Sequence, residues 1–341
     1  MRNNKNGSFP IYGGNGISGY SDEYNIDKPT IVIGRVGFYC GSIHYVKSKV
    51  WVTDNAFITS IYGNVYDIDF LYYLLTYCNL RQYSNSTAQP VISGKTIYPV
   101  HVPVPPIKEQ RKIVEKIEFW LSCISQLEFS QSKVKSTIKQ VKSKILDLAI
   151  HGKLVQQDPN DEPASELLKR INPKAEITCD TPQYGKLPKG WCLCKISSVV
   201  DIVNGKSQKN VESPTGKYPI YGSGGIIGKA MEYTCLAGST IIGRKGTINH
   251  PIFVEENFWN VDTAFGMKAN NQILEDKFFY CFCLYFDFSK LDKSSALPSL
   301  TKTAIGNLIL PIPPLAEQQR IVAKIEELFS QLDKIESSLQ A

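Results

Sequence analysis

Two arginines in this sequence, Arg35 and Arg244, stand in matching Gly-Arg-x-Gly segments at residues 34–37 and 243–246. A guanidinium group donates paired hydrogen bonds to phosphate oxygens or to guanine, so both segments could contact a nucleic acid. Because both segments keep the same arginine, we favour phosphate contact or a role in turn structure over base readout.

Two glycine-rich loops provide further candidates for nucleic-acid contact. One runs from Tyr12 to Tyr20, and its counterpart runs from Tyr221 to Gly228. Loops without bulky side chains can approach a nucleic-acid backbone closely. Their tyrosines could equally be core residues, so contact is one of two interpretations that the sequence leaves open.

Positions that differ between counterpart segments are candidates for base selection. They are Asn15 against Gly224, Val36 against Lys245, and Gln89 against Leu297. Exposed lysines could bind phosphate, although they are more often plain solvated charge. The full set of candidate DNA-contacting residues is Tyr12, Asn15, Tyr20, Arg35, Gln89, Lys95, Lys206, Lys209, Tyr221, Ser223, Arg244 and Lys245.

The sequence contains no pattern typical of a catalytic centre. Residues 94–96 and 205–207 resemble the end of a phosphate-binding loop, but the glycine required upstream is Gln89 in one and Val200 in the other. The Asn- or Asp-Pro-Pro-aromatic segment of an adenine methyltransferase does not occur. The four histidines are scattered, and the nine cysteines include no C-x-x-C pair. We therefore expect no catalytic residue, metal or cofactor on this chain, and free thiols in a reducing compartment.

The segments that would position these residues occur twice. Five blocks recur in the same order: 9–13 as 218–222, 33–37 as 242–246, 54–57 as 262–265, 103–106 as 311–314, and 109–118 as 317–326. The chain is therefore a tandem duplication. In each copy, short β-branched and aromatic runs broken by glycine and proline predict strands, and a proline-rich stop then precedes a helix.

Both predicted helices carry a heptad pattern of apolar residues. The stripe could pack on its own domain, but two stripes of matching phase favour pairing of the helices, antiparallel because a globular domain joins them. Gln131 is the one polar residue in the first stripe and could fix the register. The residues predicted to pair are Ile113, Ile117, Trp120, Ile124, Leu127 and Gln131 with Ile321, Ile325, Leu328, Leu332, Ile335 and Leu339.

Composition agrees with a soluble globular protein. Of the 341 residues, 43% are hydrophobic and 21% are charged, and no apolar run is long enough to cross a membrane. The N-terminus lacks the apolar segment of a signal peptide, so we expect a cytoplasmic protein. The net charge of +6 is compatible with a nucleic-acid partner but too small to establish one.

Three segments carry a resemblance to a known family. Residues 149–155 with 158–164 resemble the central conserved region of the specificity subunits of type I restriction-modification systems. Residues 187–191, Leu-Pro-Lys-Gly-Trp, are similar to the usual opening of a target-recognition domain in that family. Residues 313–318 resemble the entry to its conserved helices. The resemblance covers nearly the whole chain. Compared with the family pattern we expect the chain to be shortened at both ends, with the first recognition domain incomplete at its N-terminus and the second helix incomplete.

The resemblance implies an α+β fold with two mixed, β-rich target-recognition domains in tandem repeat, joined by two long antiparallel coiled-coil helices. We expect a first recognition domain at 1–106, a central helix at 107–150, a linker at 151–186, a second recognition domain at 187–314, and a second helix at 315–341. Each domain would read one part of a split target in double-stranded DNA.

The expected partners also follow from the resemblance. They are two methyltransferase subunits, which would bind S-adenosylmethionine, and restriction subunits, which would use ATP and Mg²⁺. A scaffold or silent recombination cassette without DNA specificity is the alternative.

Overall fold

The computed structural model describes residues 7–85, 90–178, 180–181, 183–292 and 298–339. Contacts divide the chain into two compact units, Met1–Phe129 (unit 1) and Ser130–Ala341 (unit 2), and the boundary falls within one long helix. The predicted α+β class is confirmed: each unit combines small mixed sheets with helices. Within the described residues, no helix is long and apolar enough to span a membrane.

Unit 1 contains two three-stranded sheets and a helical layer. Its strands are β1 (Phe9–Gly13), β2 (Gly16–Ser21), β3 (Thr30–Gly34), β4 (Ile43–Val46), β5 (Trp51–Val52) and β6 (Ala56–Ile58). The sheet orders are β2-β1-β5, in which β1 and β5 are parallel, and β4-β3-β6. The helices are α1 (Ile68–Tyr77), α2 (Gly94–Ile97) and the first part of α3 (Ile107–Ile150). Ile31, Ile33, Phe70, Leu71 and Ile92 form the centre of its core.

Unit 2 continues from α3 and repeats this arrangement with additional strands. Its helices are α4 (Ala164–Ile171), α5 (Asp276–Tyr285), α6 (Lys302–Gly306) and α7 (Leu315–Ser338). Its strands are β7 (Ile177–Thr178), β8 (Asp180–Thr181), β9 (Gly185–Lys186), β10 (Cys192–Lys195), β11 (Val200–Asn204), β12 (Tyr218–Gly222), β13 (Gly225–Ala230), β14 (Ser239–Gly243), β15 (Ile252–Val254), β16 (Trp259–Asn260), β17 (Ala264–Ala269) and β18 (Ile309–Ile312). They form sheets in the orders β18-β10-β7, β11-β17-β14-β15, β13-β12-β16 and β8-β9.

The duplication in sequence is also a duplication in structure. The β1–β2 hairpin has a register shift between Ile11 and Tyr12, and the β12–β13 hairpin has the same shift between Ile220 and Tyr221. The first strand of each hairpin also pairs in parallel with a two-residue strand, β5 in unit 1 and β16 in unit 2. An irregularity that recurs in this way is part of the fold and not a local defect.

Within unit 2, the end of α3 packs antiparallel to α7. The Gln131 amide donates to the Leu339 carbonyl oxygen at 3.1 Å, and the Lys142 ammonium forms an ion pair with Asp333. Ile138 and Ile145 of α3 are buried, as are Ile321 and Ile325 of α7. α3 ends at Ile150, and Gly152, two residues later, has a φ of 66°, the left-handed conformation that glycine adopts just after helix ends.

Candidate nucleic-acid interface

The two arginines of the sequence motif lie in equivalent connections, which we call the Gly-Arg loops (residues 34–42 in unit 1 and 243–250 in unit 2). The Arg35 N–H donates to the Asn55 carbonyl oxygen at 2.9 Å, and the Arg244 N–H donates to that of Thr263 at 2.7 Å. Both backbones are therefore held by the segment that leads into the next strand of the sheet.

The guanidinium groups are held above aromatic rings. The Arg35 Cζ atom lies 5.5 Å from the ring centre of Phe57, and the Arg244 Cζ atom lies 5.9 Å from that of Phe265. A cation over a ring face gains attraction while keeping its N–H groups free to point outward. Because Arg35 is exposed and Arg244 half-buried, both donors remain near the surface.

A second segment fixes each arginine from the other side. The Arg35 carbonyl oxygen accepts from the Ile92 N–H at 2.9 Å, and the Arg244 carbonyl oxygen accepts from the Leu300 N–H at 2.8 Å. The arginines are thus placed by several backbone hydrogen bonds in each unit, which limits the conformational entropy they would lose on binding a ligand.

The hairpin tip packs directly on the Gly-Arg loop in unit 1. A Cβ atom added at Gly14 would lie 2.3 Å from the Val36 carbonyl oxygen, so only glycine fits at this contact. In unit 2, a Cβ atom added at Gly243 would lie 3.1 Å from the Ser223 Cβ atom. The structure therefore places the exposed Asn15 tip beside the Arg35 loop, and Ser223 beside the Arg244 loop.

The three tyrosines among the predicted DNA contacts differ in how exposed they are. Tyr12 and Tyr221 are half-buried, with ring centres 5.7 Å from His44 and 5.4 Å from Phe258, so part of each ring belongs to the domain wall. Burial raises the pKa of the Tyr221 hydroxyl. Tyr20, by contrast, is 43% exposed.

The remaining candidates are mostly exposed cations. Lys95 lies in the short helix α2, Lys245 follows Arg244 in its loop, and Lys206 and Lys209 follow strand β11. The Lys206 backbone is anchored, since its carbonyl oxygen accepts from the indole N–H of Trp259 at 3.1 Å. Gln89 lies outside the described residues. For all twelve candidates, DNA contact stays a prediction.

The residues predicted to pair the helices also differ in their environments. Ile321 and Ile325 are buried, Leu328, Leu332 and Leu339 are half-buried, and Ile335 is 49% exposed. In α3, Ile113 and Ile117 are half-buried, whereas Trp120, Ile124 and Leu127 are 57%, 49% and 64% exposed. Apart from the Gln131–Leu339 hydrogen bond, the observed contacts with α7 come from α3 residues after Gln131; for the exposed three, pairing stays a prediction.

Two buried glutamines were missed as functional candidates. Gln318 accepts from the Glu275 N–H at 2.7 Å and donates to the carbonyl oxygens of Ile273 and Pro313, each at 2.9 Å. Gln110 makes the same three contacts in unit 1, with the Asp67 N–H and the carbonyl oxygens of Val65 and Pro105. Their recurrence in matching Glu-Gln pairs was the signal that could have identified them.

These glutamines connect the starts of α1 and α5 to the long helices. Glu275 and Asp67 are the N-caps of α5 and α1, and each accepts a hydrogen bond from the first turn of its helix. A single amide side chain thus joins the start of a domain helix to the entry of α7 or α3. Each glutamine therefore fixes the start of a shorter helix relative to the long helix, α1 to α3 and α5 to α7.

No metal centre is evident in the described part of the chain, where no three His, Cys, Asp or Glu side chains are grouped so that they could hold an ion. No disulfide joins the described cysteines, most of which are buried. Burial raises the pKa of the Cys194 and Cys281 thiols to about 12. Such thiols are poor nucleophiles and poor metal ligands at neutral pH.

Comparison with curated proteins gives relatives of one kind. A stretch of 143 residues, 41% of this chain, is 30% identical to the type I restriction enzyme EcoprrI specificity subunit of Escherichia coli, of which it covers 34%. Over 282 residues, 67% of this chain is 24% identical to the EcoAI specificity subunit of the same organism, of which it covers 46%. The chain therefore spans about half the length, or less, of these relatives.

Solved structures share the fold. A chain from a structure that describes complex assembly and conformational transition of the type I R-M system is 18% identical, with a TM-score of 0.65. The match covers 91% of this chain and 76% of that one. The HsdS subunit from Thermoanaerobacter tengcongensis is 17% identical with a TM-score of 0.53, covering 92% of this chain and 78% of its own.

The family assignment comes from the two repeated regions. Residues 2–140 and 188–341 both match the type I restriction modification DNA specificity domain. These segments comprise most of the chain and contain both Gly-Arg loops, both hairpins and both glutamine contacts. The chain therefore belongs to the type I restriction modification DNA specificity domain family.

Proposed function

We propose that this chain is the DNA-reading specificity subunit of a type I restriction-modification complex. Each unit would bind one part of a split target in double-stranded DNA. One observation carries the proposal: a family member presents the same surface arginine, held over an aromatic ring beside a glycine-rich hairpin tip, once in each unit.

Affinity and base selection would come from different parts of this surface. Arg35 and Arg244 recur with the same backbone and ring contacts, so they are suited to phosphates, which are identical at every position of a duplex. Asn15 and Lys245 differ from their counterparts and are exposed, so they are suited to base edges, where amides favour adenine and amines favour guanine.

The long helices would set the spacing between the two parts of the target. Two weak binding surfaces on one spacer gain affinity through effective concentration, provided that the spacer matches the distance between their sites. The antiparallel packing of α3 and α7 within unit 2, with its Lys142–Asp333 ion pair, supports such a role. The same helices would dock two methyltransferase subunits.

Catalysis would belong to the partners. We expect S-adenosylmethionine on the methyltransferase subunits, ATP and Mg²⁺ on the restriction subunits, and no catalytic residue on this chain. The proposed complex would act where the genome is, in the cytoplasm.

The proposal can be tested by co-expressing the chain with a methyltransferase subunit from its own operon in a host free of DNA methylation. Modified adenines are then mapped across the host genome. We expect a split motif with a fixed spacer. A motif from a single half would show that only one unit reads DNA, and no modification despite a stable complex would contradict the proposed function.

An Arg35→Ala, Arg244→Ala double variant serves as the matched control in this experiment. It should form the same complex with the methyltransferase, because both side chains lie at the surface. It should modify the same motif at a lower level, since phosphate contacts contribute affinity without sequence preference.

A further inference from the structure

The Gly-Arg loop of unit 1 carries a surface that unit 2 lacks. Between the paired residues Ile31 and Tyr45, the connection is one residue longer than between their counterparts Thr240 and Phe253. The buried Cys40 corresponds to the buried Ile248 when the loops are matched at their anchors. The extra length therefore lies at the tip.

The extra length places two aromatic side chains in solvent. Phe38 is 65% exposed and Tyr39 is 52% exposed, and their ring centres lie 5.0 Å apart in an edge-to-face arrangement. The corresponding position in unit 2 is the single, exposed Thr247. An exposed pair of large apolar rings costs hydration free energy, so a surface of this kind usually marks an interaction site.

A cation accompanies the rings. The Arg81 Cζ atom lies 4.6 Å from the ring centre of Phe38. The equivalent position in unit 2 is Ser289, whose hydroxyl donates to Asp287 at 2.6 Å. The aromatic ring and its cation are thus both present in unit 1 and both replaced in unit 2. An aromatic ring beside a guanidinium group suits duplex DNA, because the ring can contact the bases while the guanidinium binds the anionic phosphates.

The tip is held rigidly from below. The Gly41 N–H donates to the Gly34 carbonyl oxygen at 2.7 Å, and the Ser42 N–H donates to that of Tyr39 at 3.0 Å. Gly41 has a φ of 84°, and a Cβ atom there would lie 2.4 Å from the Arg81 backbone nitrogen. Cys40 is buried beneath, and Phe38 and Tyr39 point away from the core.

The loop of unit 2 is equally fixed but by different contacts. The Asn249 amide donates to Asp287 at 2.6 Å, and its oxygen accepts from the Phe288 N–H at 2.7 Å. The two units therefore share an anchored loop next to the hairpin tip and differ in what the loop presents: two rings in unit 1, a hydroxyl and Lys245 in unit 2.

We infer that Phe38 and Tyr39 form a base-contacting aromatic tip, with Arg81 on the flanking phosphate, which selects the first half of the target. This inference rests on the proposed function. The rings would make apolar contact with base edges in the groove, where the thymine methyl group is the natural partner. Unit 2 would select its half of the target through polar groups. The first half-site would then be read by apolar contact and the second by hydrogen bonds.

The test repeats the methylation map with a Phe38→Ala, Tyr39→Ala variant in complex with the methyltransferase subunit. We expect the base preference at one or two adjacent positions of one half-site to relax, with about a tenfold lower modified fraction at the original sites. The other half of the motif should be unchanged. Phe38→Leu should retain part of the preference, because it keeps apolar contact without the ring.

Two controls separate this role from a loss of folding. Tyr62→Ala removes a different exposed aromatic side chain of unit 1, 87% exposed, and should leave the motif and the modified fraction unchanged. Thermal unfolding should be the same for the wild type and the tip variant. A DNA duplex with uracil in place of thymine at the affected position should bind the wild type about as weakly as normal DNA binds the tip variant.

Each other outcome is decisive. A tip variant that modifies the same motif to the same extent overturns the aromatic tip and leaves the proposed function intact. An equal loss in Tyr62→Ala would also overturn it. A wild-type complex that modifies no split motif would instead overturn the proposed function, and the aromatic tip with it.

Discussion

Replacing the buried glutamine Gln318 with leucine tests how the recognition domain is joined to its helix. The side chain is 0% exposed and satisfies one backbone N–H and two carbonyl oxygens. Leucine has a similar length but no polar atoms, so all three groups would lose their partners. Each buried group left unpaired costs about 1–3 kcal/mol.

The free energy of unfolding should therefore fall by about 3–5 kcal/mol, after the favourable burial of the leucine side chain is subtracted. For a domain of this size, 1 kcal/mol shifts the melting temperature by about 2–4 °C, so the unit 2 transition should fall by about 10 °C. Gln110→Leu should produce a similar fall in unit 1, because Gln110 makes the same three contacts.

Differential scanning calorimetry of the purified chain measures both transitions. Gln319→Leu is the matched control, since Gln319 is the exposed neighbour of Gln318 and should change the melting temperature little. A Gln110→Leu, Gln318→Leu double variant should show both decreases in melting temperature if the two sites are independent. A decrease below about 2 °C for Gln318→Leu would refute the reasoning that these hydrogen bonds hold the domain to α7.

Three further predictions concern binding, pH and thiol chemistry. Arg35→Ala and Arg244→Ala should each lower affinity for a duplex carrying the mapped motif and reduce the slope of log K against log salt by about 0.9, measured by fluorescence anisotropy. An unchanged slope would exclude phosphate contact. Burial raises the pKa of Glu317 above its usual 4.5, so the folded chain holds this proton more tightly than the unfolded chain. Glu317 therefore stabilises the fold less as pH rises from 4.5 through the raised pKa. Glu317→Gln should remove that part of the pH dependence of the melting temperature. Identical curves of melting temperature against pH for the wild type and the variant would contradict this. Iodoacetamide at pH 8 should modify the half-exposed Cys123 rapidly and leave Cys281, with its pKa of about 12, unmodified until the chain unfolds, as peptide mass spectrometry would show.

Repetition made much of the fold predictable. The long helix was expected at 107–150, and α3 spans Ile107–Ile150. The Gly-Arg segments were expected to lie in turns after β-branched strands, and they follow β3 and β14. These features follow from local patterns: a heptad repeat of apolar residues, prolines just before a helix, and glycines that mark turns. Such patterns can be recognised without knowledge of distant contacts.

The arrangement around the Gly-Arg loops could not be read from the sequence. The contacts of Arg35 with Asn55 and Ile92 join segments far apart in the chain. The rings under the arginines, Phe57 and Phe265, gave no signal beyond their place in a repeated block. The exposure of Phe38 and Tyr39 could not be predicted either, because an aromatic residue in a strand-rich region usually lies in the core, and the sequence alone does not distinguish a core ring from a surface ring.

The repeated Glu-Gln pair shows why matching residues need not have matching roles. Glu317 is buried and accepts from the Trp191 indole at 3.1 Å and the Gln157 amide at 3.0 Å. Glu109, its counterpart, is exposed. Trp191 and Gln157 come from segments that precede the repeated blocks of unit 2, so the sequence match alone cannot supply this environment.

The glutamines behave differently from the glutamates beside them. The side chains of Gln110 and Gln318 form hydrogen bonds with backbone groups at the starts of α1 and α5 and just before the long helices. These groups belong to the duplicated unit itself, so both copies contain the same set of hydrogen bonds. A duplicated domain thus preserves contacts made to its own backbone and loses those made to neighbouring segments. By the same reasoning, Arg35 and Arg244, which are held by backbone and ring contacts within each copy, are the side chains whose function both units should share.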